Sequence, residues 1–385
     1  MPTYARANVS FEKGEGVYLT ATDGRRFLDF GSGVAVNALG HAHPHLVAAL
    51  KAQAEKLWHC SNLYRVPGQE TVAKRLIANS FADTVFFCNS GAEAMEGVIK
   101  LMRKYQYEHG HPERNRIIVA EGAFHGRTLA TLAAGGQEKH LKGFAPITDG
   151  FDRVAFGNLN ELRAAIGPHT AGILVEPVQG EGGIRSATTE YLQGLRATAD
   201  EFGILLGLDE VQTGNGRTGK LYAHEWAGVT PDVMGTAKGL GGGFPVGAIL
   251  ATEKAAVGMT PGTHGSTFGG NPLAMAVADA VLDVMLADGF MDHVCQMSEL
   301  LWAGLGELVA AHPTVLEDRR GAGLLLGVKC KVPNTDVIAK LLDLGMLAVG
   351  AGDNVVRLVP PLIVEPSHIA EAIDIMHRAC GELAA

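Results

Sequence analysis

The stretch Ile204-Leu205-Leu206-Gly207-Leu208-Asp209-Glu210-Val211-Gln212-Thr213-Gly214, followed further on by Ala237-Lys238-Gly239, decides how this chain reads. Its opening is a short apolar run with an acid at the end, the pattern of a buried strand delivering Asp209 to the carboxyl edge of a sheet. Open α/β sheets bind ligands at that edge. A buried carboxylate is costly unless a cation neutralises it, and a protonated pyridine nitrogen is such a cation. Lys238 stands before Gly239 and Gly241-Gly242-Gly243, where the backbone must bend closely around something. A lysine so placed can form a Schiff base. Together the acid and the lysine fit pyridoxal-phosphate chemistry.

Outward from this stretch, apolar strands alternate with helical periods between Pro44 and about Thr252. The strands are Val85-Phe86-Phe87, Ile117-Ile118-Val119, Gly172-Ile173-Leu174-Val175, Leu205 to Leu208, Val233-Met234 and Ala248-Ile249-Leu250. The alternation predicts βα units around a mostly parallel sheet. Residues 16–30 alternate apolar and polar about the Thr22-Asp23-Gly24 turn and read as a hairpin. After Asn271-Pro272, helical periodicity from Leu273 to about Ala311 leads into a strand at Leu324 to Val328, a helix near 334–345, a strand at Val355 to Leu358 and a final helix near 367–382. The expected division is an N-terminal segment (1–43), a large domain (44–272) and a smaller α/β domain (273–385).

A chain of 385 residues is too long for one small core. With 47% apolar and 19% charged residues it reads as soluble and globular rather than disordered. The net charge of −9, with no basic cluster, argues against a nucleic-acid surface. Five cysteines, scattered and without CxxC spacing, argue against both a disulfide framework and a zinc site and suit a reducing compartment. Met1 to Gly16 has the pattern of neither a signal nor a transit peptide, and no later run approaches a membrane span, so the expected location is cytoplasmic.

Across nearly its whole length the chain resembles the class III, or ω-amino, aminotransferases, and within them the members acting on N-acetylornithine. The resemblance rests on Asn37-Ala38-Leu39-Gly40-His41-Ala42-His43-Pro44, Ser61-Asn62-Leu63-Tyr64, Asn89-Ser90-Gly91-Ala92-Glu93-Ala94, Phe124-His125-Gly126-Arg127-Thr128, Glu176 to Gly183, Asp209 to Gly214, Pro231-Asp232, Ala237-Lys238-Gly239, Ser266 to Pro272 and Arg357, in the family's order. It implies a fold-type I transferase and a homodimer with shared active sites. The implied reaction moves the terminal amine of N2-acetyl-L-ornithine to 2-oxoglutarate, giving N-acetyl-L-glutamate 5-semialdehyde and L-glutamate in arginine biosynthesis. Ornithine, succinylornithine, N-succinyl-diaminopimelate and 4-aminobutyrate remain open as alternative donors.

The resemblance assigns Lys238 to the cofactor and the proton transfer, Asp209 to the ring nitrogen and Gln212 to the phenolic oxygen. It sets Phe124 and Val211 on the two ring faces. Ser90, Gly91 and Ala92 lie where a strand turns into a helix, a place that attracts anions, although alone such a turn is more often an ordinary N-cap. In the family a threonine at the Thr267 position reaches the phosphate from the other subunit. Arg127 is assigned a distal substrate carboxylate, its alternative being a salt bridge to an acid such as Glu121. Glu181 and Arg357 would form either a switchable pair serving two substrates or an inert salt bridge. Ser266, Asn62 and Tyr18 are candidates for lining the substrate pocket, Asn62 and Tyr18 being as readily ordinary loop or hairpin residues.

Two rival signals stand in the chain. Gly214-Asn215-Gly216-Arg217-Thr218-Gly219-Lys220 matches both nucleotide-binding glycine patterns, but Leu221 replaces the Ser or Thr that would hold magnesium, and no helix-plus-strand unit follows. His41-Ala42-His43-Pro44-His45 resembles a metal tract yet lacks a carboxylate or cysteine at ligand spacing, so no metal is expected.

Overall fold

Strand Leu205–Asp209 lies at the centre of a seven-stranded sheet in the computed structural model, which describes residues 1–384. The sheet runs Thr84–Cys88, Gly247–Ala251, Val233–Thr236, Leu205–Asp209, Thr170–Val175, Arg116–Ala120 and Phe151–Val154. Only Gly247–Ala251 is antiparallel to its neighbours; the remaining pairings are parallel. Thr170–Val175, Leu205–Asp209 and Val233–Thr236 are buried along their whole length. Burial on both faces is why they read as continuous apolar runs without alternation. Helix Gly91–Glu108 crosses one face at close range. A Cβ on Gly172 would stand 2.3 Å from Met102 Cε, and one on Gly235 2.5 Å from Met95 Sδ, so these strand glycines make room for the helix's methionines.

The N-terminal hairpin is joined by a further strand, Phe11–Glu15, and by Met346–Leu347, which pairs in parallel with Arg26–Asp29. Val17, Leu28 and Phe30 accordingly share one core cluster with Leu326, Val356 and Ile369. The C-terminal sheet is ordered Leu316–Ala322, Leu325–Cys330, Val355–Leu358 and Val349–Ala351. Several features differ from the sequence reading, among them the edge strand Phe151–Val154 of the large sheet, in which Asp152-Arg153 leave no apolar run. The helical stretch after Asn271 is two helices, Pro272–Met285 and Phe290–Ala311, separated where Gly289 takes a left-handed φ of 81°. Strand Leu316–Ala322 was not expected, because Glu317-Asp318-Arg319-Arg320 gives this sheet-edge strand no apolar alternation. Among the described residues no helix is long and apolar enough to cross a membrane.

Candidate active site

The parallel strands turn their carboxyl ends toward a cavity of about 420 Å³. Ser90, Gly91 and Ala92 line it from the end of Thr84–Cys88, Phe124 to Arg127 from Arg116–Ala120, and Glu176 from Thr170–Val175. Asp209, Val211 and Gln212 enter from Leu205–Asp209, and Lys238 from Val233–Thr236. Residues far apart in sequence meet here because each parallel strand ends at the same edge.

Lys238 opens a short 3₁₀ turn, Lys238–Gly241, with φ of 46°, a left-handed conformation uncommon outside glycine. Burial, and then the positive charge of Arg357, bring its amine down to about 8. A carbonyl reagent such as pyridoxal phosphate meets this lysine only when it is unprotonated. Its capture rate by the cofactor-free protein should therefore rise about tenfold per pH unit up to about pH 8 and flatten above. A profile still climbing like that of an ordinary lysine near pH 10 would contradict the reading; stopped-flow absorbance measures it.

Asp209 is held from two sides. One carboxylate oxygen accepts from the Val211 amide at 3.0 Å, and the other pairs with His125 Nδ1 at 2.7 Å. His125 is fully enclosed. Burial opposes its charge, but the hydrogen bond to Asp209 and the nearby carboxylates outweigh this and raise it above its ordinary value. Glu176, whose Oε2 accepts from the Phe124 amide at 3.0 Å, is shifted upward, chiefly by burial. The sequence reading left His125 without a role, although a histidine directly after Phe124 at a strand's carboxyl edge was a signal that it could meet Asp209.

Ser90 caps helix Gly91–Glu108, its Oγ accepting from the Glu93 amide at 3.2 Å. The amides of Gly91 and Ala92, in the first turn, have no carbonyl partner within the helix. They face a cavity that a phosphate could enter. Gly91 also makes room for Val211, since a Cβ there would lie 2.6 Å from Val211 Cγ1. Phe124 lines the same cavity, so an apolar ring and an aliphatic side chain are both available to a flat group.

Arg357, only 1% exposed, forms an ion pair with Glu181 Oε1 at 2.6 Å and donates to Gln212 Oε1 at 3.0 Å and to the Gly350 carbonyl at 3.3 Å. The Glu181 side chain is 30% exposed. The arginine is thus buried and the glutamate partly open to solvent. Gln212, its oxygen taken, keeps its NH2 as a donor. Arg127 has no ion-pair partner among the described residues; Glu121 does not pair with it, and its guanidinium lies 5.5 Å from the Phe124 ring centroid.

Asn62, Ser266, Tyr18 and the phosphate candidate Thr267 lie outside this cavity; Glu181 and Arg357 are not among its lining residues either, although the charges of both act on Lys238. Asn62 donates to the carbonyls of Ser266 and Gly269, at 2.9 and 3.0 Å, and Ser266 Oγ accepts from Gly269 and Asn89. Asn62, Ser266 and Thr267 line a separate surface cleft. The Tyr18 hydroxyl donates to Glu371 at 2.7 Å, and Arg26 stacks on its ring at 3.7 Å. Another buried acid, Glu210, serves the loop itself, accepting from Thr213 Oγ1 and from the amides of Ala223 and His224.

The rival signals resolve by geometry. Behind Gly214 to Lys220 comes only the five-residue 3₁₀ turn Ala223–Ala227, so the segment opens no α-helix whose amides could cradle a nucleotide. His41 pairs with Asp29 and His45 with Asp283, both at 2.8 Å.

The family profile for aminotransferase class-III matches residues 2–380. Acetylornithine aminotransferase 1 of Bradyrhizobium diazoefficiens is 61% identical over 383 residues, which cover 100% of this chain and 95% of that protein. The N-acetylornithine aminotransferase of Stenotrophomonas maltophilia superposes with a TM-score of 0.86 at 35% identity, covering 99% of this chain and 98% of that one. The ornithine aminotransferase of Toxoplasma gondii, in a crystal structure with partial PLP occupancy at its active site, gives 0.94 at 30% identity, covering 100% and 92%.

Proposed function

The chain belongs to the class-III aminotransferases, and from that premise we propose that it transfers the terminal amine of N2-acetyl-L-ornithine to 2-oxoglutarate, releasing N-acetyl-L-glutamate 5-semialdehyde and L-glutamate. The observation that carries this reading is the pair of guanidiniums around Lys238, one open and one neutralised. Arg127 is available to a substrate carboxylate remote from the reacting amine, whereas Arg357 is held by Glu181 at 2.6 Å.

Bound here, pyridoxal phosphate would supply a carbonyl that exchanges amines and a protonated ring that accepts an electron pair. The residues present fit it. Lys238 would hold its carbonyl carbon, the Gly91 and Ala92 amides its phosphate, Asp209 its ring nitrogen, the Gln212 NH2 its phenolic oxygen, and Phe124 and Val211 its two faces. His125, donating to Asp209, keeps that acid oriented. With the cofactor bound, the Lys238 amine, brought down to about 8, would be suited to take the proton from the carbon bearing the substrate's amine. For the acylated diamine, Glu181 keeps Arg357 covered, since nothing on the donor beside its terminal amine needs a cation. For glutamate and 2-oxoglutarate, Glu181 swings outward and Arg357 takes the carboxylate next to the reacting carbon.

The active unit is a homodimer in this reading. Thr267 shares a surface cleft with exposed Leu63 and precedes exposed Phe268, whose ring lies 5.3 Å from that of His59 in the same cleft, apolar surface suited to a second copy. From there Thr267 would reach the phosphate of the neighbouring site. The five unpaired cysteines suit a reducing cytoplasm.

The test is an absorbance titration of the purified holoprotein. Its visible band should bleach with N-acetylornithine and return with 2-oxoglutarate. A band indifferent to N-acetylornithine but bleached by ornithine, 4-aminobutyrate or a succinylated amine would move the donor assignment; no band with added pyridoxal phosphate would overturn the reading at Lys238.

A further inference from the structure

Arg217 is 2% exposed and has no carboxylate partner among the described residues. It lies in the glycine-rich Gly214 to Lys220 segment, which the proposed chemistry does not use. Burial alone depresses its guanidinium, to about 9. A cation kept dry without an anion is expensive and needs a structural return. Its Nη1 donates to the carbonyls of Leu324, at 3.0 Å, and Pro360, at 2.6 Å, and the Arg217 carbonyl accepts from the Leu324 amide at 2.9 Å.

Those two carbonyls are not arbitrary. Strands Leu325–Cys330 and Val355–Leu358 pair antiparallel with Leu326 opposite Leu358 and Gly327 opposite Arg357. Continuing that register sets Leu324 opposite Pro360, so one nitrogen grips both strands at the end of the ladder that carries Arg357. The approach is tight: a Cβ on Gly323, where φ is 59°, would lie 2.4 Å from Thr218 Cα. The same loop begins with Gln212, which accepts from Arg357 itself. Loop and ladder are thus joined at two points, Gln212 to Arg357 and Arg217 to the strand ends.

We propose that Arg217 is a positioning residue for the second substrate: by clamping the Leu324 and Pro360 carbonyls to the loop that follows Asp209, it sets where the Arg357 guanidinium stands above Lys238. The inference rests on the assignment of Arg357 to 2-oxoglutarate and glutamate. Displacing an anchor by a fraction of an ångström weakens the ligand that uses it and spares one that does not.

The experiment measures both half-reactions and, by calorimetry, the binding of glutarate, an unreactive dicarboxylate, to the holoenzymes of Arg217→Met, Arg217→Lys, Arg357→Met and the double Arg217→Met/Arg357→Met variant. Arg217→Met should raise KM for 2-oxoglutarate and Kd for glutarate about tenfold, with kcat and the N-acetylornithine half-reaction within about threefold. Arg217→Lys, which keeps a donor, should recover part of the loss even if Arg217→Met is poorly folded. In the double variant the Arg217 change should add nothing to the Arg357 change. Equal losses for both substrates, or additive losses in the double variant, would overturn positioning. Unchanged 2-oxoglutarate kinetics in Arg357→Met would instead remove the premise, and the proposal with it.

Discussion

Lys238→Ala holoprotein reconstituted with pyridoxal phosphate should turn over N-acetylornithine and 2-oxoglutarate about 10⁴-fold more slowly than the parent, near the top of what a positioned general base contributes. Two losses combine at this position. In the proposed chemistry the amine that would exchange with substrate is gone, and so is the base, brought down to about 8 by burial and Arg357. The fold should not suffer. A desolvated amine is favoured in water, so its removal relieves a cost, and the cofactor-free variant should unfold at a temperature no lower than that of the cofactor-free parent. Added methylamine, small enough for the vacated space, should restore a measurable part of the rate. Single-turnover absorbance and thermal unfolding measure these outcomes. Near-normal turnover in the variant would remove Lys238 from the chemistry, whereas a collapsed fold without rescue would make its role structural.

Arg357→Met should separate the two substrates. Truncating one partner of a buried charged pair costs about 2–5 kcal/mol in binding, or about 30- to 4,000-fold in kcat/KM for 2-oxoglutarate and glutamate. The N-acetylornithine half-reaction should change by no more than about threefold, since Glu181 covers Arg357 when that donor is bound. Glu181, already 30% exposed, can turn to solvent once its partner is lost, while Gln212 loses a donor to its oxygen. Stopped-flow measurement of each half-reaction separates these effects. Equal losses in both would identify Glu181–Arg357 as a static brace rather than a switch.

Most of the large sheet was legible because parallel strands buried on both faces write themselves as apolar runs. Leu205 to Leu208 and Ile117 to Val119 needed no partner to be recognised. The strand Leu316–Ala322 was not legible, since an edge strand rich in charge carries no such signature. The break at Gly289 was hidden because the helices on either side keep the same apolar period.

The chain by itself determined the alternating architecture and the acid and the lysine at two strand ends, because hydrophobic period and turn chemistry are local properties. Only the tertiary structure decided that His125 grips Asp209, that Arg217 clasps two strand ends, that Glu181 meets Arg357 at 2.6 Å, and that Asn62 and Ser266 share a cleft away from Lys238. These are contacts between side chains or carbonyls brought together from separate loops. Their energies depend on distance and burial, which no local pattern in the chain records.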